Sequence, residues 1–261
     1  MSKDVAVLYR KEGSIGEIAL NRPDNRNAMN GETLAAFGKI IDSVKQDREL
    51  RCLVITGSGN TFCSGADFRS DILDKGKLLP QEATFGIYRP FLAILEVEVP
   101  VIAAMNGHAV GGGLGLALIC DIRVANREAR YAANFVKLGL HSGMAISYML
   151  PRVVGLPRAA EMLFTGRMVT GAQAAEIGLA NYAVGPEEVS GKAWELAREI
   201  AACAPAAVRM IKRSLYRHVN WDPRPAGEYE AHCQSRTIEM EDSKEGVRAL
   251  LEKREPRFRG V

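Results

Sequence analysis

The 261-residue sequence lacks most of the signatures that would name a cofactor. It has no G-x-x-x-x-G-K-[ST] segment, and Leu116 stands where the third glycine of a dinucleotide fingerprint beginning at Gly111 and Gly113 would fall. The histidines His108, His141, His218 and His232 and the cysteines Cys52, Cys63, Cys120, Cys203 and Cys233 form no C-x-x-C or H-E-x-x-H spacing. No metal site is expected, and the thiols read as reduced core residues. No apolar run approaches bilayer length, and residues 1–4 lead into strand-like sequence, not a signal peptide, so a cytoplasmic chain is expected. The formal charge is only +3 and spread along the chain, which gives nucleic acid or a membrane no electrostatic handle. One further absence is local: no Asp or Glu occurs between Glu128 and Glu161.

Against these absences, residues 99–123 stand out. A β-branched run passes into a loop of small residues and then an unbroken apolar segment ending at Cys120-Asp121, the pattern of buried strand, glycine turn and buried helix. The triple glycine Gly111-Gly112-Gly113 fits two readings. It can serve tight helix-strand packing alone, or it can let an anion or developing oxyanion approach main-chain amides at the positive end of a helix.

Around this stretch the pattern alternates strands and helices. A hairpin is expected from Val5 to Tyr9 and Ile15 to Leu20 about a Lys11-Glu12-Gly13 turn, then a helix capped by Asn30 with Leu34, Phe37, Ile41 and Val44 buried. The strand at 52–57 and its small-residue loop at 58–68 foreshadow the plan of 99–123, so two similar turns should lie side by side. Tyr88, Phe91, Leu92 and Leu95 mark a helix between them, and Ile146, Met149, Leu150 and Val153 another that Pro151 should kink or interrupt. Thr170 should cap a short helix closed by Gly178. From Pro186 onward everything reads as helix: one face carries Val189, Ala193, Leu196, Ala197 and Ile200, and a second carries Val208, Ile211, Leu215 and Val219. Arg209, Lys212, Arg213 and Arg217 lie off that second face and read as a solvated surface in preference to a phosphate site. Asp242 and Glu245 have capping-box spacing for the last helix.

Four segments in order, LNRPDNRNAMN (20–30), VITGSGNTFCSGADF (54–68), AMNGHAVGGGLGLALICDIRVA (104–125) and EGVRALLEKREPRF (245–258), resemble the crotonase, or enoyl-CoA hydratase/isomerase, superfamily over nearly the whole chain. The resemblance implies an α/β fold: a spiral of repeated β-β-α units over 1–185 with a C-terminal helical trimerisation region over 186–261. It also implies a homotrimer or dimer of trimers. The implied ligand is an acyl-CoA thioester, coenzyme A arriving as part of the substrate with no prosthetic group. Backbone N–H groups of Ala66 and Gly112 would grip the thioester oxygen. Coenzyme A would run along Arg26, Asn27 and Ala28 and along Ala66, Asp67, Phe68 and Arg69, with Lys253 reaching the nucleotide, from a neighbouring subunit if need be. Arg26, Arg69 and Lys253 carry the charge phosphates need, although each alone reads equally as a surface cation.

The departure from the family falls at the acids. The two glutamates with which relatives hydrate a double bond align with Gly115 and Phe135, neither of them a carboxylate. Isomerisation, decarboxylation, thioester hydrolysis or carbon-carbon cleavage is therefore expected ahead of hydration, with a non-catalytic acyl-CoA binding protein as the alternative. His141 is the candidate base, weighed against a structural histidine. Tyr88, Tyr131, Tyr148 and Asn134 could reach the pocket but read first as packing, and Asp67 and Asp121 read first as anchors.

Overall fold

The computed structural model describes residues 5–70, 72, 79–217 and 240–261. Two sheets organise it. The larger has strands in the order β1 (Val7–Glu12), β2 (Ile15–Leu20), β3 (Cys52–Gly57), β5 (Val101–Met105), β7 (Ile122–Asn126) and β10 (Tyr182–Val184). The smaller runs β4 (Thr61–Cys63), β6 (His108–Val110), β8 (Arg130–Ala132) and β9 (Val169–Thr170). Only β1 and β9 pair antiparallel, with β2 and β8 respectively. The hairpin turn is tighter than expected: Glu12 pairs with Ile15, leaving Gly13-Ser14 as the turn.

The repeat foreseen in the sequence is physical. Each of β3, β5 and β7 lies in the large sheet, and after a few residues the chain adds a three-residue strand, β4, β6 or β8, to the small one. The short strands run parallel, with Cys63 opposite Ala109 and Val110 opposite Ala132. Their C-terminal ends therefore deliver three loops to one edge: 64–67, 111–112 and 133–135.

Helices cover the sheets where the apolar periodicity points. α1 (Gly31–Gln46) is capped by Asn30, whose Oδ1 accepts the Thr33 N–H at 2.9 Å, and it buries Leu34, Phe37, Ile41 and Val44. α2 (Pro80–Leu92) packs Phe91 edge-on against Phe37 at 4.6 Å, but it ends before Leu95, which is exposed. α3 (Gly112–Ile119) is buried along its whole length. α4 (Ile146–Val154) continues through Pro151 without interruption, and α5 (Leu156–Thr165) follows. α6 (Gly171–Glu176) has the expected Thr170 cap, reciprocated by Gln173. α7 (Val189–Ala201) lays Val189, Ala193 and Leu196 on the outer face of the large sheet, against Cys52, Val54, Ile102 and Val124, while Leu53 and Ile55 face the main core.

The C-terminal expectations need two corrections. α8 (Pro205–Arg217) turns its cationic side inward: Lys212 Nζ donates to Val99 O at 2.8 Å, and Arg209 Nη2 to the Arg48 and Leu50 carbonyls. Ile211 and Leu215 are instead more than 60 % exposed. In α9 (Glu241–Glu252) Asp242 is no cap; it is buried and accepts the Arg259 and Gly260 N–H groups, folding the tail back. Val219, His218, His232 and Cys233 lie outside the described residues. Among the described residues no helix is long and apolar enough to cross a membrane.

Candidate active site

The loop after β4 reaches the loop before α1 through a single parallel bridge between Met29 and Ala66. Met29 N–H donates to Gly65 O and Asp67 N–H to Met29 O, both at 2.8 Å. In this pattern the bridged residue's own N–H points to the opposite side, so the Ala66 amide is turned away from Met29. The loop after β6 turns at Gly111 (φ 55°), whose N–H donates to Ala132 O at 2.8 Å. Gly112 then opens α3, where the first-turn amides have no intrahelical acceptor. Among the described residues neither the Ala66 nor the Gly112 N–H has a hydrogen-bond partner.

These two turns touch through main chain. A Cβ on Gly65 would stand 2.9 Å from Val110 O and 3.3 Å from Gly112 N. Tight packing is also real, because a side chain on Gly113 would meet Cys63 Cβ at 2.9 Å. The triple glycine thus satisfies the packing reading and still leaves an amide unpaired at a helix N-terminus, an arrangement able to hold an oxygen that gains negative charge.

The flanking loop is clamped by Arg22, which no sequence signal marked, and by Asp67, which holds the loop as expected. Arg22 Nη1 donates to Ala28 O at 2.8 Å and Nη2 to Asp67 Oδ2 at 3.2 Å, tying the two site loops together. Asp67 also accepts the Arg69 N–H at 3.2 Å. The Asn27 side chain is buried: it donates to Ser58 O and Thr61 O and accepts the Arg22 N–H, so it is spent inside the protein. Ala28 is buried, whereas Arg26, Phe68 and Arg69 are exposed, Arg26 on a loop whose carbonyl accepts the Ser64 N–H. Lys253 is exposed on the C-terminal segment, which Arg51 holds at the start of β3 by donating to Phe258 O, the end of that strand opposite the loop 58–68.

Around the first turn of α3 the side chains are mostly apolar. A Cβ on Gly111 would face Asn134 Oδ1 at 3.5 Å and Phe135 Cζ at 3.8 Å; one on Gly112 would meet Met29 and Met144; one on Gly115 would strike Met144. Tyr88 packs its hydroxyl against Gly143, and burial raises its pKa. His141 is exposed, its Nδ1 2.7 Å from Ser142 O. Tyr131 is a core residue whose hydroxyl donates to Met105 O and Asn126 O, and Tyr148 is half exposed beneath the Arg152 guanidinium. Asn134 and Tyr88 thus lie beside the site loops, while Tyr131 is turned into the core. No sequence signal singles out Met29 or Met144, because their convergence on α3 is a tertiary contact.

The sequence and the fold have counterparts among known proteins. A short-chain-enoyl-CoA hydratase of Clostridium acetobutylicum is 34 % identical over 251 residues, covering 95 % of each chain. A crotonyl-CoA hydratase of Syntrophomonas wolfei is 35 % identical over 256 residues, covering 97 % of each. The crystal structure of an enoyl-CoA hydratase from Bacillus anthracis superposes with a TM-score of 0.92 at 30 % identity, over 98 % of this chain and all of that one. Residues 10–261 match the enoyl-CoA hydratase/isomerase family, and with the fold shared as well this chain is a crotonase-fold member of that family.

Proposed function

We propose that this protein processes acyl-CoA thioesters by holding the thioester oxygen on the Ala66 and Gly112 N–H groups, without the paired acids of hydration. The observation that carries the reading is the pair of adjoining turns presenting unpaired amides; the resemblance in sequence adds that Gly115 and Phe135 align with the glutamates of hydrating relatives. A thioester that gains enolate or tetrahedral character puts negative charge on one oxygen, and preorganised main-chain donors stabilise it. Isomerisation, decarboxylation, hydrolysis and carbon-carbon cleavage all pass through such an oxyanion. Hydration also needs acid-base groups at the β carbon. Exposed Arg26 and Arg69 on the clamped loops support a coenzyme A path along Arg26 to Ala28 and Ala66 to Arg69. His141 is the base candidate.

The outward apolar face of α8, with Ile211 and Leu215 exposed, supports assembly of copies into a homotrimer or a pair of trimers, from which Lys253 would reach a neighbour's nucleotide. The buried free thiols Cys52, Cys63 and Cys120 suit a reducing cytoplasm.

The test is proton exchange. Mixed with a panel of acyl-CoAs in D2O and followed by NMR, the protein is expected to exchange α-protons. Binding without exchange or product favours the non-catalytic binder, for which the solvent-facing His141 speaks. Hydration of crotonyl-CoA at rates normal for the named hydratases would overturn the proposal.

A further inference from the structure

Resting on that reading, we propose that Met144 is the specificity-determining residue of the site: its side chain fills the volume a side chain at position 115 would take and keeps water from the acyl carbons beside the thioester. The geometry is a direct exchange of space. A Cβ on Gly115 would collide with the Met144 Cβ and approach its Cγ to 3.2 Å and Ile146 Cγ1 to 3.3 Å. A Cβ on Gly112, one turn earlier, would stand 3.6 Å from the same Met144 Cγ and 3.8 Å from Met29 Sδ. Met144 therefore spans one side of the buried first turn of α3, from the proposed donor to the residue aligned with an acid.

Its position is imposed by the chain around it. Met144 and Ala145 are successive non-glycine residues in the left-handed region, at φ 56° and 55°. Such a pair persists only where the surroundings over-determine it. Here Gly143 is backed by the Tyr88 hydroxyl, its carbonyl accepts the Ile146 N–H at 3.2 Å, and the Ala145 carbonyl accepts the Tyr148 and Met149 N–H groups. Met144 is 1 % exposed and Met29 2 %, and with the Phe135 ring beside Gly111 they form an apolar collar about the helix start. Two thioethers and a phenyl ring offer water no hydrogen-bond partner of their own; Asn134 Oδ1, 3.5 Å from a Cβ on Gly111, and the unpaired amides are the polar groups beside them. Among the four reaction classes above, the collar favours those in which no water adds to the acyl group, so hydrolysis falls behind isomerisation, decarboxylation and carbon-carbon cleavage.

The experiment compares wild type, Met144→Gly, Met144→Leu, Gly115→Glu and the double variant Gly115→Glu/Met144→Gly. Folding is followed by circular dichroism, binding of crotonyl-CoA by calorimetry, and the rate of water addition or thioester hydrolysis against α-proton exchange by NMR. Met144→Gly suits the left-handed backbone and opens the collar, and it is expected to raise the water-to-exchange ratio about tenfold. Met144→Leu should bring the ratio back toward wild type. Gly115→Glu alone should lower the melting temperature, and the double variant should recover part of that loss. If wild type binds and exchanges but Met144→Gly folds, binds and keeps the same ratio, the assignment of Met144 falls while the proposed function stands. A Gly115→Glu variant as stable as wild type would also overturn it. If wild type binds no crotonyl-CoA or other acyl-CoA, the proposed function fails and the assignment with it, even where the stability results hold.

Discussion

Asp121 and Lys212 meet at 2.8 Å beneath α8, joining the end of the buried helix α3 to a helix 91 residues further along the chain. The same carboxylate accepts the Val101 N–H at 2.7 Å and the Tyr216 hydroxyl at 2.5 Å, so three elements depend on one side chain. Burial, followed by the neighbouring Asp121, raises the Tyr216 pKa and keeps its phenol a donor. Both ion-pair partners are largely buried, at 13 % and 15 % side-chain exposure. Lys212→Ala is therefore expected to cost about 1.5–3 kcal/mol, because it removes one charged donor from a carboxylate that the Val101 N–H and the Tyr216 hydroxyl still hold. Urea unfolding measures this, and a loss under about 1 kcal/mol would place the pair among ordinary surface contacts.

Gly112→Val should remove the proposed donor's approach, since any side chain there runs into Met29. With the fold retained by circular dichroism, α-proton exchange is expected to fall about 10²–10³-fold, the usual scale for one oxyanion donor. Wild-type exchange rates in this variant would remove Gly112 from the site.

Ala145 is exposed and left-handed, which makes it a place to gain stability. Relief of the left-handed strain outweighs the extra entropy of an unfolded glycine, so Ala145→Gly should stabilise the protein by roughly 0.5–1 kcal/mol. Thermal melts of the two proteins decide it, and a lower melting temperature would contradict the strain argument.

The thiols should divide by burial. Burial pushes Cys52, Cys63 and Cys120 up to about 12, so each stays a neutral thiol across the working range and ionises in the folded state only near that pH. Since folding holds these pKa values above the unfolded one, their linkage costs nothing at neutral pH and erodes stability as pH rises past the unfolded value of about 8.5. At pH 8 a thiol reagent should label the exposed Cys203 rapidly, and the three buried thiols only after denaturation. Mass spectrometry of the labelled protein checks each site.

What could be read from the sequence was local. Asn30 and Thr170 announce their helices because a cap is a contact across three residues, and Leu34, Phe37 and Ile41 announce a buried face because the period is set by the backbone. The two small-residue turns were legible as well, since a glycine run leaves few alternatives. The orientation of α8 was not: a helical period separates two faces but does not say which meets the body, and carbonyls at Arg48, Leu50 and Val99 supply the acceptors that draw the cations inward. Asp242 misled for a related reason. Its carboxylate finds amides at Arg259 and Gly260, and cap spacing cannot compete with a tail folding back. Met144 left no mark, because its meaning lies in a glycine 29 positions away.

The three short parallel strands β4, β6 and β8 have an evolutionary corollary. They fix the turns at Ala66 and Gly112, the proposed grip, in the polypeptide itself, so mutation can rewrite the side chains around them one loop at a time. A scaffold of that kind inherits its hold on the ligand from topology and its chemistry from whichever residues happen to crowd the rim.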